Sequence, residues 1–155
     1  MKFLAVPIAT VLGLGFFPKG SGTLTSAVVC LAYFYLFPEY PSLLIQVVFL
    51  LIIAAVFFVG VWSSTVAEQQ YGHDPSCVVI DEVAGMMTAL IAIPHSWAWV
   101  GLSFALFRLM DITKWLGSKQ AERLPRGWGV MTDDMVAGGW AFLFLQCYQW
   151  YNNIS

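Results

Sequence analysis

Apolar residues run through this chain in blocks, and the polar positions gather in a few short clusters between them. Leu43 to Trp62 is the clearest block. It carries no charge and only Gln46 as a strongly polar residue, and it reaches the roughly 20 residues a membrane-spanning helix needs. Phe3 to Phe17 is apolar but broken by Pro7, Gly13 and Gly15, which predicts a re-entrant or interfacial helix. The glycines of Gly13 to Ser26 predict a loop, with Thr23, Thr25 or Ser26 capping the next helix. That helix is the run Leu24 to Phe37, stopped by Pro38-Glu39-Tyr40-Pro41. Ser63 to Asp81 turns polar and reads as a short amphipathic helix followed by a loop at Gly72-His73-Asp74-Pro75. Val83 to Ile93 and Trp97 to Met110 flank Pro94-His95; each is short for a span, so they are expected as short helices or a bent pair. Met135 to Tyr151 is the last predicted helix, with Tyr148, Trp150 and Tyr151 suited to a membrane interface.

Composition turns this pattern into a class. The chain is 155 residues, 59% hydrophobic and 10% charged, with mean hydropathy +0.76. Soluble domains are about 25% charged, and a small domain leaves too much surface exposed to hide this much apolar area. The expected fold is an all-α integral membrane bundle with short or re-entrant helices, a single domain over residues 1–155. Met1 to Phe17 is followed by no small-x-small cleavage site, so it is expected to be retained. The net charge of −2 comes with no basic tract that would suggest nucleic acid. Cys30, Cys77 and Cys147 have neither disulfide nor metal-ligand spacing; Cys30 and Cys147 are expected as buried thiols. The turns at Pro38–Ser42 and Pro94–Ser96 lack Lys and Arg, whereas Lys19 and the basic residues between Arg108 and Arg126 fall on the other side. The positive-inside rule makes that side cytoplasmic.

Charge concentrates between Phe107 and Gly139, which holds five of the seven Lys and Arg residues and four of the nine carboxylates. Asp133-Asp134 in this stretch, and Asp81-Glu82 upstream, are adjacent acidic pairs. Each precedes small residues, Ala84-Gly85 and Ala137-Gly138-Gly139, that let helices approach closely. Either pair alone is ordinary compensation of a helix dipole. Two such pairs at membrane depth point to function, and oxygen-only ligands describe a hard-cation site, magnesium first, with manganese and calcium as rivals. Arg108, Asp111 and Lys114, three residues apart, share a helix face: an ion-pair ladder, or a phosphate clamp with Asp111 as orienter or metal ligand. Lys119, Arg123 and Arg126 read as a headgroup-facing surface. Gly20-Ser21-Gly22-Thr23 has the look of an anion nest. His73 and His95 have no partner at ligand spacing and read as turn residues.

These pieces together resemble the phosphatidylglycerophosphatase A family. The matching stretches are Gly13-Leu14-Gly15 with Gly22-Thr23, Ile80 to Met86, Phe107 to Lys114 and Gly127 to Gly138, in the family's order and approximate spacing. The chain departs at Ser21-Gly22-Thr23, where the family has Pro-Gly-Thr, and at Lys114-Trp115-Leu116-Gly117, where it has Lys-Pro-Trp-Pro. The resemblance implies Mg2+-dependent hydrolysis of phosphatidylglycerophosphate, a phospholipid, to phosphatidylglycerol and inorganic phosphate on the cytoplasmic face of the bacterial inner membrane. Asp81, Glu82, Asp133 and Asp134 are then the expected metal ligands. Asp81, Asp111, Asp133 and Asp134 are the expected catalytic carboxylates; Gly22, Thr23, Arg108 and Lys114 are expected to hold substrate. Oligomeric state and the choice of water or Asp as nucleophile stay open. Two other classes remain: a small transporter with carboxylates on an ion path, and a non-catalytic membrane scaffold.

Overall fold

The computed structural model describes residues 2–72, 75–114, 117–121 and 123–154. His73, Asp74, Trp115, Leu116 and Glu122, and the side chain of Lys119, lie outside the described set. The described residues form helices and short connections, with no strand among them. The order is α1 (Lys2–Ala9), a 3-10 turn at Leu14–Phe16, α2 (Ser21–Leu36), α3 (Leu43–Tyr71), α4 (Ile80–Ala89), α5 (Trp97–Thr113), the short α6 (Ser118–Ala121) and α7 (Gly127–Ile154).

Three boundaries differ from the sequence expectation. α2 begins inside the expected glycine loop, directly after Gly20, which sits at φ 72°. Thr25 and Ser26 are therefore buried within the helix and do not cap it; Thr25 Oγ1 donates back to the Ser21 carbonyl at 2.9 Å. α3 does not stop at Trp62 but continues to Tyr71 through the polar segment. No Gly or Pro interrupts 61–71, and Ser63, Ser64 and Ala67 are buried there, so small residues let the helix go on packing. α7 starts at Gly127, well before Met135, because its first turn is capped from another helix: the Gly127 N–H donates to Thr65 Oγ1 of α3 at 3.1 Å.

α4 is the central element, packed on α2, α3, α5 and chiefly α7. Its contact with α7 is backbone on backbone. A Cβ on Gly85 would stand 2.6 Å from the Asp134 carbonyl oxygen, and one on Gly138 would collide with the Gly85 carbonyl. Only glycine fits at either place, as the small-residue patches predicted. Below this contact, Met86, Leu90, Phe107, Ala141 and Leu145 fill the core. The turns after α2 and before α5 meet at the far end, where Phe34 stacks on His95 (4.7 Å) and Trp97 (3.8 Å). Ser42 and Ser96 cap α3 and α5 there, each accepting an N–H at 3.4 Å.

The 29 residues of α3 are long and apolar enough to cross a membrane. Its outward side chains, among them Leu44, Leu51 and Phe58, are exposed. Cys30 is buried as expected; Cys147 is exposed, because it lies on the outer face of α7.

Candidate active site

Three helices bring their charged residues to one end of the bundle, the first turn of α4, the C-terminal end of α5 and the second turn of α7, and α2 adds Ser26 beside them. Glu82 stands in the first turn of α4. Its Oε2 accepts from Ser26 Oγ of α2 at 3.0 Å and from the guanidinium of Arg108 on α5. Arg108 also meets Asp111 Oδ2 at 2.9 Å. Lys114 Nζ lies 3.7 Å from Asp111 Oδ1 and contacts Asp133 Oδ2 of α7. The signs alternate along Glu82, Arg108, Asp111, Lys114 and Asp133, so the sequence's ion-pair ladder exists but reaches across three helices.

Lys114 closes α5 in the left-handed conformation, φ 50° and ψ 50°. That costs a non-glycine residue roughly 1–2 kcal/mol. The same turn carries its ammonium back over Asp111 and across to Asp133.

Burial separates the carboxylates. Asp111 is 8% exposed, and Asp133 and Asp134 are 4% each; acidic side chains are almost never this buried unless they are paired or bind a cation. Asp133 and Asp134 lie beyond the first turn of α7, where a helix dipole no longer helps a negative charge. Dipole compensation therefore accounts for Asp81 and Glu82 in α4 but not for the second pair. One oxygen each from Asp111, Asp133 and Asp134 lie within 4.8 Å of one another. Asp134 Oδ2 is buried and accepts no hydrogen bond.

Both Glu82 and Asp134 sit at the polar end, ahead of the apolar stretches of their helices. Burial, then the charges of Asp81, Glu82 and Asp111, hold the Asp134 carboxyl well above the usual carboxylate range. Burial also holds Glu82 above its ordinary value, against the opposing pull of Arg108. Two cations do not balance five neighbouring carboxylates. The surplus negative charge, the oxygen-only donors and the unpartnered Asp134 oxygen fit a hard divalent cation.

The expected residues thus come together, with one rearrangement. The close oxygen set takes in Asp111, while Asp81 and Glu82 stand beside it; Glu82 is engaged by Arg108 and Ser26. Gly22 lies against the Glu82 carboxylate, in the space a Cβ would need. Thr23 is exposed in the first turn of α2, where the N–H groups precede the first helical hydrogen bond, Leu24 N–H to the Gly20 carbonyl. Arg123 and Arg126 are exposed at the surface. Ser26 was not foreseen as part of the site. Its one signal is spacing: it stands four residues after Gly22, on the same helical face.

A model of the phosphatidylglycerophosphatase A family matches residues 7–149, a span that contains every residue of this cluster. The chain belongs to the phosphatidylglycerophosphatase A family. Two relatives named phosphatidylglycerophosphatase A are similar to it: one from Haemophilus influenzae, 35% identical over 71% of this chain and 69% of its own length, and one from Escherichia coli, 33% identical over 84% and 75%. A third, from Bacteroides thetaiotaomicron, is 38% identical over 96% of both chains and is provisionally named a phosphatidylinositol-3-phosphatase. No solved structure matches. As a member of the phosphatidylglycerophosphatase A family the chain is a phosphatase, and the transporter and scaffold alternatives give way. The family match spans the whole charge cluster, its five carboxylates together with Arg108 and Lys114.

Proposed function

We propose that this protein hydrolyses the terminal phosphomonoester of phosphatidylglycerophosphate, with Mg2+, on the cytoplasmic face of the bacterial inner membrane. The observation that carries the reading is the buried cluster of Asp111, Asp133 and Asp134 beside Arg108 and Lys114, at one end of an apolar bundle. A multi-pass arrangement puts that end at the headgroup level, with α3 crossing the bilayer and the shorter helices packed against it.

Asp111, Asp133 and Asp134 would hold the cation. Bound there, it would supply Lewis-acid polarisation of a phosphoryl oxygen and charge neutralisation. Arg108 binds the phosphate. Glu82 and Asp111 fix its guanidinium, and its buried Nε still has no acceptor, which a phosphoryl oxygen provides. Lys114 adds a second positive charge where negative charge grows in the transition state. Asp81, half-buried beside Asp134 and outside the close oxygen set, takes the proton of the attacking water. Gly22 lets the Glu82 carboxylate pack against the α2 N-terminus, which faces the headgroup with positive potential.

The Bacteroides relative's name favours a second reading, a phosphomonoester on the ring of an inositol lipid. Phosphate release from the two lipids, measured side by side in detergent with and without Mg2+, separates them. Asp133→Asn and Asp111→Asn are expected to lose about 10²–10³-fold of the activity or more. Folded variants that keep full activity would sink the cation-site assignment.

A further inference from the structure

An apolar groove runs along α4, away from the charged cluster. α2 and α3 both pack on α4, and between them they leave a cavity of about 360 Å³, within the roughly 300–1,000 Å³ of ordinary ligand pockets. Its floor is one face of α4: Val83, Met87 and Leu90, at helical spacing. Two of its lining residues neighbour site residues along their helices. Val83 follows Glu82 directly, and Val29 stands one turn after Ser26, the residue that hydrogen-bonds Glu82. The groove is open to the side, since Ile52 on its rim is 45% exposed.

The groove also has an end. Tyr33 and Phe37 stack at 4.9 Å, and Phe49 from α3 closes on both, at 5.9 and 5.0 Å. These three rings line a second cavity of about 390 Å³ on their other side, which has Glu39, His95 and Gln149 in its walls. The rings are therefore a partition between an apolar groove and a more polar chamber.

We propose that this groove binds an acyl chain of the lipid substrate, entering sideways between α2 and α3, and that Phe49 with Tyr33 and Phe37 sets the chain length it accepts. The inference rests on the lipid-phosphatase reading above and adds to it a specificity element. The occupant follows from continuity. A ligand whose phosphate sits at Arg108 and whose body is apolar meets Val29 and Val83 next. Water in such a groove finds no polar partners, so an apolar chain is favoured there. A bulkier side chain on the floor or rim shortens the groove. A smaller one at the partition joins it to the second cavity.

The test is a chain-length profile, read as phosphate release from short-chain and long-chain phosphatidylglycerophosphate and, separately, as the shift in melting temperature those lipids give to the detergent-solubilised protein. Met87→Trp is expected to lower the ratio of long-chain to short-chain activity by about tenfold. Ile52→Trp, on the open rim where nothing has to be displaced, is expected to lower it in the same sense. Phe49→Ala is expected to move the preferred length upward. If Met87→Trp and Ile52→Trp lower both activities in equal measure or change neither, and Phe49→Ala leaves the profile unmoved, the groove is not an acyl site. If the wild type releases no phosphate from any chain length, the hydrolytic reading fails; the melting shifts still decide the groove, by depending on chain length or not.

Discussion

Arg108 is held from two sides, by Glu82 of α4 and by Asp111 one turn along its own helix. A lysine there would reach one of these partners at most and would lose the planar fork. Arg108→Lys is expected to lower kcat by about 10²-fold with the protein still folded, measured by phosphate release and thermal unfolding. Ser26 acts one step back. Ser26→Ala removes a hydrogen bond to a carboxylate, about 1.5–3 kcal/mol of stability in a buried setting; kcat is expected to fall with it while Mg2+ dependence stays as in the wild type. Asp134 supplies a pH test. Its carboxyl is held above the ordinary range, so in the metal-free protein the proton it keeps stabilises the fold at low pH. That contribution is lost as pH rises through the raised value. A cation competes with this proton, so the rise in melting temperature produced by Mg2+ is expected to grow as pH rises above the ordinary carboxylate range. A flat profile would remove Asp134 from the cation set. Residue types at this scale were legible in the sequence, because charge is so rare in the chain that each carboxylate stands out. Pairing between helices was not: Ser26 meets Glu82 only through α4, and Asp111, whose ladder with Arg108 and Lys114 follows from spacing, meets Asp133 and Asp134 only through α7.

Between elements, the decisive contact is α4 on α7, where Gly85 and Gly138 allow the two backbones to touch. Gly138→Ala has no space for its methyl group. It is expected to cost about 1–3 kcal/mol and to lower activity further than the loss of folded protein accounts for, because Asp134 and Glu82 move apart with the helices. Circular dichroism melting and specific activity, taken on the same sample, check this. The small-residue patches were readable because a glycine beside an acidic pair has few other uses in an apolar helix. The boundaries differ where polar stretches join the long helices: Ser63 onward, expected as a separate amphipathic helix, continues α3, and the residues before Met135 open α7. Ser63 to Tyr71 and Gly127 to Asp134 are polar yet helical, because Thr65 of one caps the first turn of the other. A cap supplied from a distant helix leaves no mark in the local sequence.

For the whole molecule, the block pattern and composition predict an all-helical membrane bundle; the described residues are helical without strands, and the outward face of α3 is aliphatic and exposed. The arrangement across the bilayer is testable with single cysteines in a background where Cys30, Cys77 and Cys147 are replaced by Ser. A membrane-impermeant maleimide is expected to label Glu39→Cys in intact cells, and Arg126→Cys only after lysis. The reverse pattern would invert the topology. α3 is about 43 Å long at the rise of an α-helix, against about 30 Å of hydrocarbon in a bilayer, so in the proposed spanning arrangement its polar end would stand clear of the lipid. Thr65 on that end fixes where α7 begins, and Asp134 follows about 10 Å further along α7. In that proposed arrangement the carboxylates measure depth. A phosphate anchored by its own lipid arrives at their level without being carried there, whereas a soluble phosphate ester has to leave water and descend to it. Selection for lipid over soluble esters would then begin in the length of α3, before any contact at the charged cluster.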